Sequence, residues 1–110
     1  MDKLRVTGGR RLAGKVEVGG AKNAALPALA ATLLTEDRLE LANLPRVRDV
    51  RTMLRVLEHL GAEVHDSGTG SASIEVRRLQ SAEAPYDLVR TMRASVLVLG
   101  PLLARFGRAR

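Results

Sequence analysis

The sequence predicts an α/β (α+β) fold in the order strand, helix, strand, helix, strand, strand, and three observations predict it. Apolar and charged residues alternate at 15–18, 38–41, 62–65 and 73–76, the period of a half-buried strand. Apolar residues recur at helical spacing within 23–34 and 49–60. Turn-forming residues separate these runs: Gly19-Gly20, Asn43-Leu44-Pro45, Gly61, and the loop Asp66-Ser67-Gly68-Thr69-Gly70.

In chain order, Leu4 and Val6 alternate with charged neighbours as a short first strand. Thr7-Gly8-Gly9 is a turn, and Leu12 to Val18 reads as a second strand. The first helix runs from about Asn23 to Leu34, with Pro27 in or near its first turn, where a missing N–H costs least. Arg38 to Leu41 is a strand that Asn43-Leu44-Pro45 breaks. Asp49 is a suitable N-cap for a second helix and Gly61 a suitable residue to end it; Val50, Met53, Leu54, Leu57 and Leu60 form its apolar face. Ala62 to His65 and Ser73 to Val76 then form a hairpin. Alternating strands and helices imply parallel pairing with helices over the sheet. A polar connector, 80–85, leads to a third helix from Tyr86 or Asp87 to about Phe106, which Gly100-Pro101 should kink. Residues 13–78 thus make one βαβαββ unit, and the helix at 86–107 opens a second that the pattern leaves incomplete, as in an N-terminal fragment of a longer chain.

Composition narrows the function classes. The 110 residues carry 45% apolar and 27% charged side chains, the balance of a soluble domain with its own core. Tyr86 and Phe106 are the only aromatics, so the core must be aliphatic. With no cysteine, the chain holds no disulfide, thiol nucleophile or cysteine-bound metal, and it fits a reducing, cytoplasmic setting. His59 and His65 are too few and too far apart for a zinc site. The stretch Ala24 to Leu34 is too short to span a bilayer, and the strands and Gly-Gly turn before it argue against a signal peptide.

A net charge of +6 raises nucleic acid as a partner. Arginine outnumbers lysine 15 to 3, and the arginines are scattered (Arg10, Arg11, Arg46, Arg48, Arg51, Arg55, Arg77, Arg78) with no aromatic platform beside them. A basic nucleic-acid-binding module is therefore kept as an alternative, behind a small-molecule enzyme.

The chemistry points to Gly19-Gly20-Ala21-Lys22-Asn23. Two glycines let the chain turn sharply and let a ligand approach. A helix start presents unpaired N–H groups, Lys22 adds a positive charge, and Asn23 adds a donor and an acceptor. Taken alone, a surface lysine beside an asparagine N-cap is the simpler account. Arg90 and Arg93 stand three apart, on one side of the third helix. Asp87 pairs with Arg90, which leaves Arg93, beside Ala94 and Ser95, as the partly buried, directed cation.

Two long segments carry a family resemblance. Gly20-Ala21-Lys22-Asn23-Ala24-Ala25-Leu26-Pro27, and 84–95 with Thr91-Met92-Arg93-Ala94-Ser95 continuing to Gly100–Gly107, with shorter matches at Asn43-Leu44-Pro45, Asp49-Val50 and Leu60-Gly61-Ala62, resemble the UDP-N-acetylglucosamine enolpyruvyl transferases. The sister enzymes acting on shikimate phosphate typically carry serines around the lysine, where this chain has Ala21 and Asn23. The resemblance implies βαβαββ units in an inside-out α/β barrel of two domains, incomplete here. It implies transfer of the enolpyruvyl group of phosphoenolpyruvate to the 3-hydroxyl of UDP-N-acetylglucosamine, with release of phosphate and no metal or organic cofactor. On this resemblance Lys22 and Asn23 bind phosphoenolpyruvate, Lys22 acting electrostatically, and Arg93 helps bind the nucleotide sugar. The family's general acid, usually a cysteine on a mobile loop, has no counterpart in these residues.

Overall fold

A computed structural model describes residues 2–110. The helix α1 spans Lys22–Ala31 and runs into a 3-10 turn, Thr32–Leu34. Strand β1 is Leu39–Leu41, helix α2 is Arg48–Leu60, and β2 (Glu63–Asp66) and β3 (Ala72–Glu75) form the hairpin. Beyond the connector come a short helix α3, Tyr86–Val89, a 3-10 helix, Arg93–Val98, and α4, Leu99–Phe106.

The sheet has the order β1-β3-β2, and both pairings are antiparallel. The expected parallel pairing is corrected here. β3 folds back from its hairpin and enters between β1 and β2, so the strands that α2 connects never bond directly. Register places Leu39, Ile74 and Val64 in one row across the three strands, and Glu40, Ser73 and His65 in the next. Ile74 and Val64 of the first row pack into the core; Glu40 and His65 in the second are exposed. This is the alternation of a sheet covered on one side.

The core is aliphatic, as composition requires. Leu29 and Leu33 meet Met53, Leu57 and Leu60 of α2, Ile74 and Val76 of the β3 region, and Leu102 of α4, all within 1% of full burial. Each such side chain contributes roughly 1.5–3 kcal/mol by leaving water. Gly61 ends α2 at φ 118°, and a Cβ there would lie 2.6 Å from the Arg78 carbonyl oxygen and 2.7 Å from the Gln80 nitrogen. Both left-handed geometry and close approach demand glycine at this position.

Two further expectations are corrected. The stretches at Leu4–Val6 and 12–18 form no strand; Leu4, Val6, Leu12, Val16 and Val18 are 82–94% exposed. Alternation supplies a face, but a strand also needs a hydrogen-bonded neighbour, and none of the described residues provides one. This segment stretches the chain to a radius of gyration of 16.9 Å, against about 13 Å for a compact domain of its length. The long third helix is also broken, at 90–92 rather than at Gly100-Pro101. Met92 is extended (φ −145°, ψ 107°) and buried, while the hydroxyls of Thr91 and Ser95 donate to the Leu88 and Met92 carbonyls. Those local bonds compete with the helical ladder. Gly100 and Pro101 lie in the first turn of α4, where no intrahelical N–H bond is lost.

Glu75, 8% exposed at the end of β3, accepts from Arg77 Nε at 2.6 Å and Arg38 Nη2 at 3.3 Å. The Arg77 hydrogen bond, outweighing the opposing cost of burial and assisted by the Arg38 charge, holds its carboxyl below the usual carboxylate range. A depressed folded-state value stabilises the protein above the unfolded group's titration and loses that contribution as pH falls through the folded one. Glu75→Gln should therefore melt below wild type at neutral pH. The gap in melting temperature should close as pH is lowered from 7 to about 3. A gap independent of pH would show that the carboxylate charge is not what stabilises.

Candidate functional site

The start of α1 is built by its own backbone. Ala21 is the N-cap in extended conformation, and its carbonyl accepts from the Ala24 and Ala25 amides at 3.1 and 2.9 Å. No side chain caps the helix. Asn23 lies inside the first turn and is not the cap, so the simpler account of Asn23 from sequence is set aside. Both Lys22 and Asn23 are exposed, at the positive end of the helix dipole. Pro27 is the sixth residue of α1, near the first turn but one position farther in than a start at Asn23 would put it. Pro27 cannot donate the usual helical bond to the Asn23 carbonyl, and it faces solvent.

Two contacts from the β1–α2 connection hold this turn. Asn43, at φ 55°, accepts the Gly20 amide on Oδ1 at 3.1 Å. Its backbone oxygen occupies the place a side chain at residue 20 would need, 1.7 Å from an ideal Cβ. Gly19, by contrast, faces open space, so only the second glycine is sterically required, and for close approach. Farther along, Asp49 Oδ2 lies 3.0 Å from Lys22 Nζ, with 32% and 49% of the two side chains exposed. Asp49 was expected to cap α2. The cap position belongs to Val47, which makes no side-chain bond, and Asp49 sits in the first turn with its carboxylate on Lys22.

The arginines are placed differently from expectation. Arg90 closes α3 and pairs with Asp87 at 3.5 Å, as read from sequence. Arg93 opens the 3-10 helix beyond the extended Met92, so the two arginines share no helix face. Nor is Arg93 partly buried; it is exposed, at the rim of an apolar crevice of about 330 Å³ lined by Met92, Val96, Leu99 and Leu102. Neither Lys22 nor Asn23 lines that crevice, although α1 packs against the 3-10 helix that carries Arg93. Sequence reasoning missed Asp49 and Asn43 as site residues. Asp49 was read as a helix cap and Asn43 as part of a turn, and no spacing rule joins either to the lysine turn.

Comparison with known proteins gives the family of the chain. The structure superposes on the crystal structure of the enolpyruvyl transferase NikO from Streptomyces tendae with a TM-score of 0.76, at 27% identity, over 91% of this chain and 23% of that one. The fold is thus part of an enolpyruvyl transferase architecture. Residues 6–110 match the family model described as EPSP synthase (3-phosphoshikimate 1-carboxyvinyltransferase), and the chain belongs to that family. Over all 110 residues it is 54% identical to a UDP-N-acetylglucosamine 1-carboxyvinyltransferase of Dichelobacter nodosus, of which it spans 26%. The chain covers about a quarter of the length of these relatives. Among the described residues no helix is long and apolar enough to cross a membrane.

Proposed function

We propose that these residues supply the phosphoenolpyruvate-binding turn of a UDP-N-acetylglucosamine 1-carboxyvinyltransferase. That enzyme moves the enolpyruvyl group of phosphoenolpyruvate to the 3-hydroxyl of UDP-N-acetylglucosamine and releases phosphate, the first committed step of peptidoglycan synthesis. The observation that carries the reading is the uncapped start of α1 with an oriented lysine on it, in a chain 54% identical throughout to an enzyme of that name.

Lys22 offsets the charge of phosphoenolpyruvate and of the departing phosphate; fixed charge aimed at developing charge is the strongest general lever an active site has. Asn23 positions the reacting groups, and Arg93 serves the nucleotide sugar. The addition and elimination pass through a tetrahedral intermediate and need no metal or organic cofactor. The general acid comes from outside these 110 residues. On this reading 13–78 is one unit of the barrel and 86–107 opens the next, the enzyme is cytoplasmic, and its product serves cell-wall growth, cell shape and division.

The test is release of phosphate from phosphoenolpyruvate and UDP-N-acetylglucosamine. The isolated 110 residues should show none, and sustained turnover by them would refute the assignment of the acid elsewhere. In a transferase of full family length carrying these residues, turnover should require the uridine nucleotide. The family model's description favours one competitor, shikimate 3-phosphate as acceptor; turnover with that acceptor and none with the nucleotide sugar would decide for it.

A further inference from the structure

We propose that Asp49 is a positioning residue that acts through Lys22, serving as the resident counter-ion that keeps the ammonium aimed over the start of α1 until an anionic substrate arrives. This rests on the reading of Lys22 as the phosphoenolpyruvate-binding lysine.

A lysine in the first turn of a helix is electrostatically misplaced, because the helix dipole is positive there. A nearby anion offsets that cost. In the structure the anion is Asp49, 3.0 Å away on the first turn of α2, where the dipole favours a carboxylate. Asp49 does not spend its oxygens on capping its own helix, since Val47 holds the cap position and no side-chain cap bond forms. The same connection holds the other end of the turn: Asn43 takes the Gly20 amide on its side chain. Backbone and ammonium are thus fixed from one segment, 43–49. Without Asp49 the four-carbon stem of Lys22 would sample many rotamers, each to be frozen again at every turnover. With half of the lysine side chain still exposed, an incoming phosphate or carboxylate can reach the ammonium beside Asp49.

The chain's three lysines make the test direct, since Lys3 and Lys15 lie in the exposed, unpaired segment and serve as references. The 13Cε and Hε resonances of the lysines are recorded in the 110-residue chain, with and without millimolar phosphoenolpyruvate. Lys22 should stand apart from Lys3 and Lys15. Asp49→Asn should collapse it toward them, and Asp49→Glu should restore part of the difference, with circular dichroism showing that each variant folds. A Lys22 signal unchanged in Asp49→Asn sinks the proposal. Phosphoenolpyruvate that fails to move Lys22 in wild type sinks instead the reading of Lys22 as its ligand, while the unliganded spectra still report on Asp49.

A second measurement stands if Asp49→Asn does not fold in the short chain. In a full-length transferase carrying these residues, Asp49→Asn should lower kcat about tenfold without raising KM for phosphoenolpyruvate. In a Lys22→Met background it should cost nothing further. Equal losses in both backgrounds would assign Asp49 to the stability of α2 alone.

Discussion

Gly20→Ala should melt roughly 10 °C below wild type, while Gly19→Ala melts with it. An alanine methyl at residue 20 would fall 1.7 Å from the Asn43 carbonyl oxygen, 2.9 Å from its carbon and 3.2 Å from Pro45 Cδ. These obstacles are backbone and a proline ring, and neither can swing aside as a flexible side chain can. Either the 43–45 segment or the turn before α1 must move, and overpacking of this kind costs about 1–3 kcal/mol. In a domain of this size each kcal/mol lowers the melting point by roughly 4–8 °C. The displaced turn also carries Lys22 away from Asp49, so the variant should lose the distinct lysine signal as well as stability. At Gly19 nothing lies within reach of an added methyl, and the substitution stays within about 0.5 kcal/mol of neutral. Equal melting of the two variants, followed by circular dichroism, would remove the steric account of the motif's second glycine.

Arg105→Ala should cost more, on the order of 3 kcal/mol. The Arg105 side chain is 14% exposed, and its guanidinium donates from Nη1 to the Leu33 and Thr35 carbonyls at 3.0 and 2.7 Å and from Nη2 to the Val76 carbonyl at 2.7 Å. Glu36 lies 3.4 Å from the same group. One side chain of α4 thereby ties the end of the α1 segment to the end of β3. Truncation strips a charged donor from three carbonyls, two of them on fully buried residues. Arg105→Lys should recover only part of the loss, because an ammonium cannot reproduce the planar fork. Urea titration measures both variants; a midpoint for Arg105→Ala equal to wild type would show that water replaces the guanidinium at no cost.

The helices α1 and α2 and the hairpin were legible because each is specified locally, by an apolar face of the right period and a turn residue at its end. Gly61 and the apolar row of α2 are plain instances. What sequence could not give depends on partners distant in the chain. Alternation at 12–18 promised a strand, and no neighbour among the described residues completes it. Helical spacing at 86–106 promised one helix, but burying Met92 required an extended residue, and the hydroxyls of Thr91 and Ser95 satisfied the carbonyls that were freed. At the site, the lysine turn was visible from its glycines and charge. Its supports were not, because a hydrogen bond from Gly20 to Asn43 and an ion pair from Lys22 to Asp49 leave no periodic trace.

The unpaired segment and the lysine turn meet at a single residue. Among the described residues, Val18 is exposed in a stretch with no hydrogen bond to the body, Gly20 is the first with one, and Gly19 lies between them. The frontier between tethered and untethered backbone therefore falls one step before the charged group on which the proposed chemistry depends. The Gly20–Asn43 bond is therefore the boundary post of the folded body, and Lys22 stands two residues inside it.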